Sequence, residues 1–225
     1  MDMNIIKKQK RQTSETFLLS SILALSGGFQ DAYTYNVRDH VFSNAQTGNV
    51  VLMSQHFLMG DWRTAISYLF PIIAFAMGVL VAEQIGHKYK FARRIHWRQI
   101  IVLIEILLLF IVGFIPGNYN MIATMMVSFA CSMQVQTFRK VNGYGYASTM
   151  CIGNLRSGTE SLSIFIRDHQ KGALKKAMHY YGIILIFAIG AGVGGVCSLA
   201  WGMKAIWVSC GLLLITFLMM VEEKR

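Results

Sequence analysis

The stretch 64–86, TAISYLFPIIAFAMGVLVAEQIG, runs for 23 residues with one formal charge, at Glu83. Roughly 20 such residues cross the hydrocarbon of a bilayer as a helix, so lipid is the solvent this chain is written for. Five further segments reach or approach that length: 17–36 (FLLSSILALSGGFQDAYTYN), 99–115, 119–138, 177–200 and 205–221. With 54% of the 225 residues hydrophobic and 14% charged, little chain remains for a soluble domain. The expected fold class is all-α, a polytopic membrane protein of six transmembrane helices. The basic start followed by LLSSILALSGG has the look of a signal peptide. The apolar pattern continues without an A-x-A site, however, so residue 17 onward reads as the first span.

Charge sets the expected topology. With the N-terminus and the loops 87–98 and 139–176 in the cytoplasm, the inner side holds Lys7, Lys8, Lys10, Arg11, Lys88, Lys90, Arg93, Arg94, Arg98, Arg139, Lys140, Arg156, Arg167, Lys171, Lys175, Lys176, Lys224 and Arg225. That is 18 of the 21 basic residues, leaving Arg38, Arg63 and Lys204 outside, a strong positive-inside bias. Both termini are therefore expected in the cytoplasm. The division is a basic tail at 1–16, one membrane domain at 17–221 and a short tail at 222–225. The net charge of +10 needs no nucleic acid to explain it, because the basic residues are spread over every inner loop.

Two crossings already connect the N-terminus to the loop at 87–98, so 41–59 (VFSNAQTGNVVLMSQHFLM) cannot be a third. It is too apolar for an ordinary loop and too polar in its first half for lipid. A broken or re-entrant segment, buried among helices or lining a cavity, fits both facts. A second copy stands downstream: Gly48-Asn49 and Gly153-Asn154 align at an offset of 105, together with Ser43 and Ser148. At an offset of 112, Tyr68, Ile72, Phe75, Ala76, Gly78 and Val81 match Tyr180, Ile184, Phe187, Ala188, Gly190 and Val193. The expectation is two three-span repeats, about 17–115 and 119–221, each with a broken segment, near 41–59 and 144–165. Three spans is an odd number, so the halves are expected to lie inverted.

The run GGFQDAYTYNVRDHVFSNAQTGNVVLMSQ, with its D-A and T-G-N-V, and the weaker copy ending IGNL resemble the bacterial YoaK-like membrane family, a domain of unknown function. The resemblance covers about 17–221 and implies a six-span inner-membrane protein, but neither a reaction nor a substrate. Ile152 departs from the pattern, standing where a Thr precedes Gly-Asn in the first copy.

Function has to be argued from the residues. Inverted halves with interrupted segments are the architecture of secondary transporters, whose sites sit where half-helix ends meet. Gly48 and Gly153 would free the backbone, and Asn49 and Asn154 would cap the helical pieces that follow. Helix N-termini aimed inward could then receive an anionic or strongly polar solute group. Asp31, Gln46, Thr47, Gln134 and Gln136 complete the expected solute site, with Gln136 as the counterpart of Asp31. Asp31 is read either as a functional group at membrane depth or as a carboxylate paired with Arg38. Glu83 and Glu105 are expected to pair at the inner interface near Lys88 and Arg98. Arg156 and Glu160 are expected as an ion pair, or Ser157 and Glu160 as a capping box.

The four cysteines show no C-x-x-C, the six histidines show no H-E-x-x-H, and no phosphate loop or nucleophile constellation is present. No enzyme activity, cofactor or metal is expected. The expected partners are the bilayer and one small solute, with assembly into a homo-oligomer left open. A scaffold or regulatory membrane protein is the second reading, and it would need no polar cavity.

Overall fold

A computed structural model describes residues 15–89 and 96–222. The basic residues at positions 7, 8, 10, 11, 90, 93, 94, 224 and 225 lie outside them, so that part of the charge argument has no structural counterpart. Eight α-helices follow in order: α1 (Phe17–Val37), α2 (Gln46–Leu58), α3 (Trp62–Tyr89), α4 (Trp97–Val112), α5 (Asn120–Thr137), α6 (Cys151–Asp168), α7 (Lys171–Trp201) and α8 (Trp207–Glu222).

Local chemistry sets their ends. Thr16 caps α1 by accepting from Leu19 N at 3.3 Å, and α1 stops before Asp39 and His40, both at positive φ. Gly60, at φ +79, turns α2 into α3, where Asp61 accepts from Thr64 N. His96 and Gln99 form a reciprocal capping box on α4. Between α5 and α6, Asn142 and Gly143 take positive φ and reverse a two-stranded hairpin, β1 (Lys140–Val141) and β2 (Tyr144–Gly145).

Each of the six expected spans falls on a helix; the first expected broken segment contains α2, and the second overlaps α6, which runs three residues past it. At 1.5 Å per residue, the 28 residues of α3 reach about 42 Å and the 31 of α7 about 46 Å, while the 13 of α2 reach only about 20 Å. α4 and α8, with 16 residues each, reach about 24 Å. The exterior is apolar over long stretches, with Leu58, Ile152, Val196 and Leu199 each at least 70% exposed. Ser26, Gln30, Thr34, Asn49, Ser128, Ser132 and Gln134 are buried. A surface this apolar around an interior this polar suits lipid, not water. Tryptophans open α3, α4 and α8 and close α7, as interface anchors do.

The main core lies among α1, α4, α5 and α8, built on Leu23, Phe29, Val102, Leu109, Val127 and Leu213. Helix pairing repeats across the chain. α1 packs on α7 as α5 packs on α3; α2 packs on α3 as α6 packs on α7; and α4 meets α5 as α8 meets α1. Exchanging the first four helices with the last four thus reproduces these pairings. The tightest crossings are made by glycine in both sets. A Cβ at Gly190 would strike the Leu25 backbone, and one at Gly78 would strike the carbonyl of Phe129. Gly78 and Gly190 are 112 apart, as in the sequence alignment, but Leu25 and Phe129 are 104 apart. The α1/α5 register is therefore one residue short of the 105 expected from the GN pairs. It pairs Gln30 with Gln134 and makes Val135, not Gln136, the counterpart of Asp31.

Candidate functional site

Asn49 and Asn154 perform one task in two places. The Nδ2 of Asn49 donates to the carbonyl of Phe42 at 2.7 Å, and its Oδ1 accepts from Phe42 N at 3.2 Å. Asn154 makes the same pair of bonds with Ala147, at 2.7 and 3.3 Å. Each amide satisfies both backbone groups of a residue seven positions earlier, in irregular chain that hydrocarbon could not solvate. Neither Asn is a cap, because each is the fourth residue of its helix and the N-caps are Ala45 and Met150, with no side-chain cap bond at either. The glycines before them do not have positive φ, so backbone freedom is not their role. Gly48 instead leaves room for the Phe42 ring, 3.4 Å from where a Cβ would sit, while a Cβ at Gly153 would meet nothing within 4 Å.

Asp31 points toward α2, away from Arg38. Its Oδ1 accepts from Asn44 N at 2.7 Å and from Ser43 Oγ at 2.9 Å, and the backbone N–H groups of Ser43 and Ala45 also face the carboxylate. Asp31 thus places a carboxylate of the protein itself beside the start of α2, where an anionic or strongly polar solute group was expected. In the other half, the matching serine, Ser148, accepts through Oγ from the uncharged Gln134 Nε2 at 2.9 Å. Gln136 lies on another face and bonds to Glu83.

The starts of α2 and α6 border one cavity of about 1100 Å³. Of the expected site residues, Asp31, Gln46, Thr47 and Gly153 line it, whereas Gly48, Asn49, Gln134, Gln136 and Asn154 do not. α7 forms another wall through Phe187, Ala191, Gly192 and Gly195, and α3 contributes Ile72, Phe75 and Ala76. Sequence reasoning missed two lining residues, Asn44 and Thr149. Both are at least 94% buried, and Asn44 Oδ1 and Thr149 Oγ1 lack hydrogen-bond partners among the described residues. They follow Ser43 and Ser148 and are themselves 105 apart, so the alignment that matched the serines contained the signal. Tyr35 stacks on Phe42 with ring centroids 4.8 Å apart, and both line the cavity.

Other charged groups depart from the expected pattern. Glu105 is fully buried and makes no interfacial ion pair; Gln30 Nε2 stands 3.5 Å from its Oε1, and Oε2 has no partner among the described residues. Cys131 donates to Gln30 Oε1 at 2.6 Å in the same cluster. Arg98, the expected partner of Glu105, lies 3.3 Å from Glu15. Arg38 is also fully buried, donating to Tyr33 Oη, Asn120 Oδ1 and the carbonyls of Val112 and Ile115 at 2.9–3.0 Å. It thereby ties down the chain at the end of α4, adding a second donor to the Val112 carbonyl, which also accepts from Ile115 N at 3.1 Å, and supplying one to the Ile115 carbonyl beyond the helix. Arg156 and Glu160 form no ion pair among the described residues, and Ser157 is inside α6 with its carbonyl accepting from Ser161, so no capping box exists there.

The family described as "Protein of unknown function (DUF1275)" matches residues 19–219, from α1 into α8. The chain is 26% identical over 219 residues to a Bacillus subtilis (strain 168) protein called UPF0700 transmembrane protein YoaK, covering 92% of this chain and 94% of that one. No solved structure matches. An all-α chain with an apolar exterior, aligned nearly end to end with a transmembrane protein, is itself a membrane protein, and it belongs to the DUF1275 family.

Proposed function

We propose that this protein is a secondary transporter of a small solute, with six crossings, two inverted halves and both termini in the cytoplasm of a bacterial inner membrane. The observation that carries the reading is the cavity: its walls include the first turns of both α2 and α6, the corresponding pieces of the two halves. Sites built this way, from interrupted segments at the meeting of two repeats, recur among secondary transporters. The exchange of helix pairings between the halves and the duplicated Asn locks support the repeat. A scaffold would need neither the cavity nor the unpartnered polar oxygens on its wall.

Cys151 lines the cavity and is a native reporter. In proteoliposomes, a membrane-impermeant maleimide applied to either face is expected to modify Cys151, located by mass spectrometry, because a transporter opens its site to each side in turn. Absence of Cys151 modification from both faces would favour the scaffold.

A further inference from the structure

The cavity wall is chemically one-sided. Asp31 is its charged side chain, and no Lys, Arg or His lines it among the described residues. The buried side-chain oxygens on that wall include the Asp31 carboxylate, Asn44 Oδ1 and Thr149 Oγ1, and the last two lack a hydrogen-bond partner among the described residues; Tyr35, Asn36 and Thr47, which also line it, are exposed. The carboxylate and Asn44 Oδ1 can only accept a hydrogen bond. Each unmet acceptor in such surroundings has a cost that a donor would relieve. Around these oxygens the wall is apolar and aromatic, through Tyr35, Phe42, Phe75 and Phe187. Aromatic faces attract cations, most strongly where water is excluded.

We infer that the solute is a protonated amine with an apolar body, its ammonium group held by Asp31, Asn44 and Thr149 and its body lying against the aromatic wall. This rests on the reading of the cavity as a solute site and names the class that site takes. An ammonium N–H donor meets the acceptors the wall offers. A carboxylate in the same place would face Asp31 with no basic side chain to offset the repulsion. The Asp31 carboxylate is already positioned on the cavity wall, because Ser43 Oγ and Asn44 N hold Oδ1.

The test is protection of Cys151 from N-ethylmaleimide by matched pairs: tryptamine against indole-3-propionate, phenethylamine against hydrocinnamate, and hexylamine against heptanoate. At least one amine is expected to slow modification at concentrations where no acid does. Thr149→Val keeps the shape and removes a hydroxyl that has no hydrogen-bond partner among the described residues, so the fold should be retained. It should weaken amine protection by about tenfold, the loss of one hydrogen bond to a charged donor. Asp31→Asn should abolish it. Protection by the acids equal to that by the amines, protection by no amine, or amine protection unchanged in Asp31→Asn would each overturn the assignment. Modification of Cys151 from both faces would still leave the transport reading standing. Amine protection with Cys151 reachable from one face only would leave the binding assignment standing without transport.

Discussion

Gly190→Ala tests the seam that holds the two halves together. Built on the existing backbone, the new Cβ would lie 2.9 Å from both the carbonyl carbon and the Cα of Leu25, with the carbonyl oxygen closer still. These are backbone atoms of α1, and no rotamer change moves them. The helices must separate instead, and a retreat of about 1 Å forfeits roughly half of the dispersion energy at each affected contact. Gly194, one turn along, would meet Phe29 Cα and O at 2.7 Å, so this face of α7 has no slack. The expected cost is about 3 kcal/mol, at the upper end for overpacking. Gly211→Ala is the control: it lies within α8, where a Cβ would meet nothing within 4 Å, and Ala should gain up to about 1 kcal/mol from helix propensity. At about 2–4 °C per kcal/mol for a chain of this size, the two variants should differ by roughly 10 °C in Tm. Thermal unfolding in detergent, followed by helical circular dichroism, measures this. Equal Tm values for the two variants would refute the close approach of α1 and α7.

Three further outcomes follow from side chains described above. Asn49→Ala and Asn154→Ala each remove two hydrogen bonds to buried-chain backbone and should each lower stability by about 2–3 kcal/mol, read as Tm in detergent; near-additive losses in the double variant would show that the two locks act independently. Arg38→Met removes four hydrogen bonds from a buried guanidinium and leaves the Ile115 carbonyl without the Arg38 donor, so its Tm should fall by at least as much as that of either Asn variant. For topology, a cysteine at Asn118 should label from outside and a reporter fused after Arg225 should be active only in the cytoplasm; the reverse pattern would remove the case for inverted halves.

The helices were legible where hydrophobicity runs unbroken. Residues 64–86 and 177–200 read directly as α3 and α7, because apolar length is a property of the local chain. The GN turns were legible as special but not in their role. Asn49 bonds to Phe42 and Asn154 to Ala147, partners seven residues back that no short motif specifies. The placement of Glu105 near a basic partner failed for a different reason. Proximity in sequence to Arg98 suggested an interfacial pair, but one helix face turns Arg98 to Glu15 and another turns Glu105 into the bundle. Asp31 was visible as costly at membrane depth, whereas its partners Ser43 and Asn44 depended on how the chain folds back after α1. The register of α1 against α5 was misjudged by one residue because matching GN pairs says nothing about the loops before them.

The exchange of pairings between α1–α4 and α5–α8 bears on the energetics of motion. Any rearrangement that loosens α2 against α3 while α6 stays seated on α7 has a twin in which the roles are swapped. In the proposed transporter the two end states would break and keep corresponding sets of contacts. Their energies would differ wherever the two halves differ in sequence or length. Asp31 faces no charged twin, and α6 has five residues more than α2. Substitutions at those unmatched positions are therefore the ones that should tilt the resting balance between the two states, while changes made in both halves at once should leave it level.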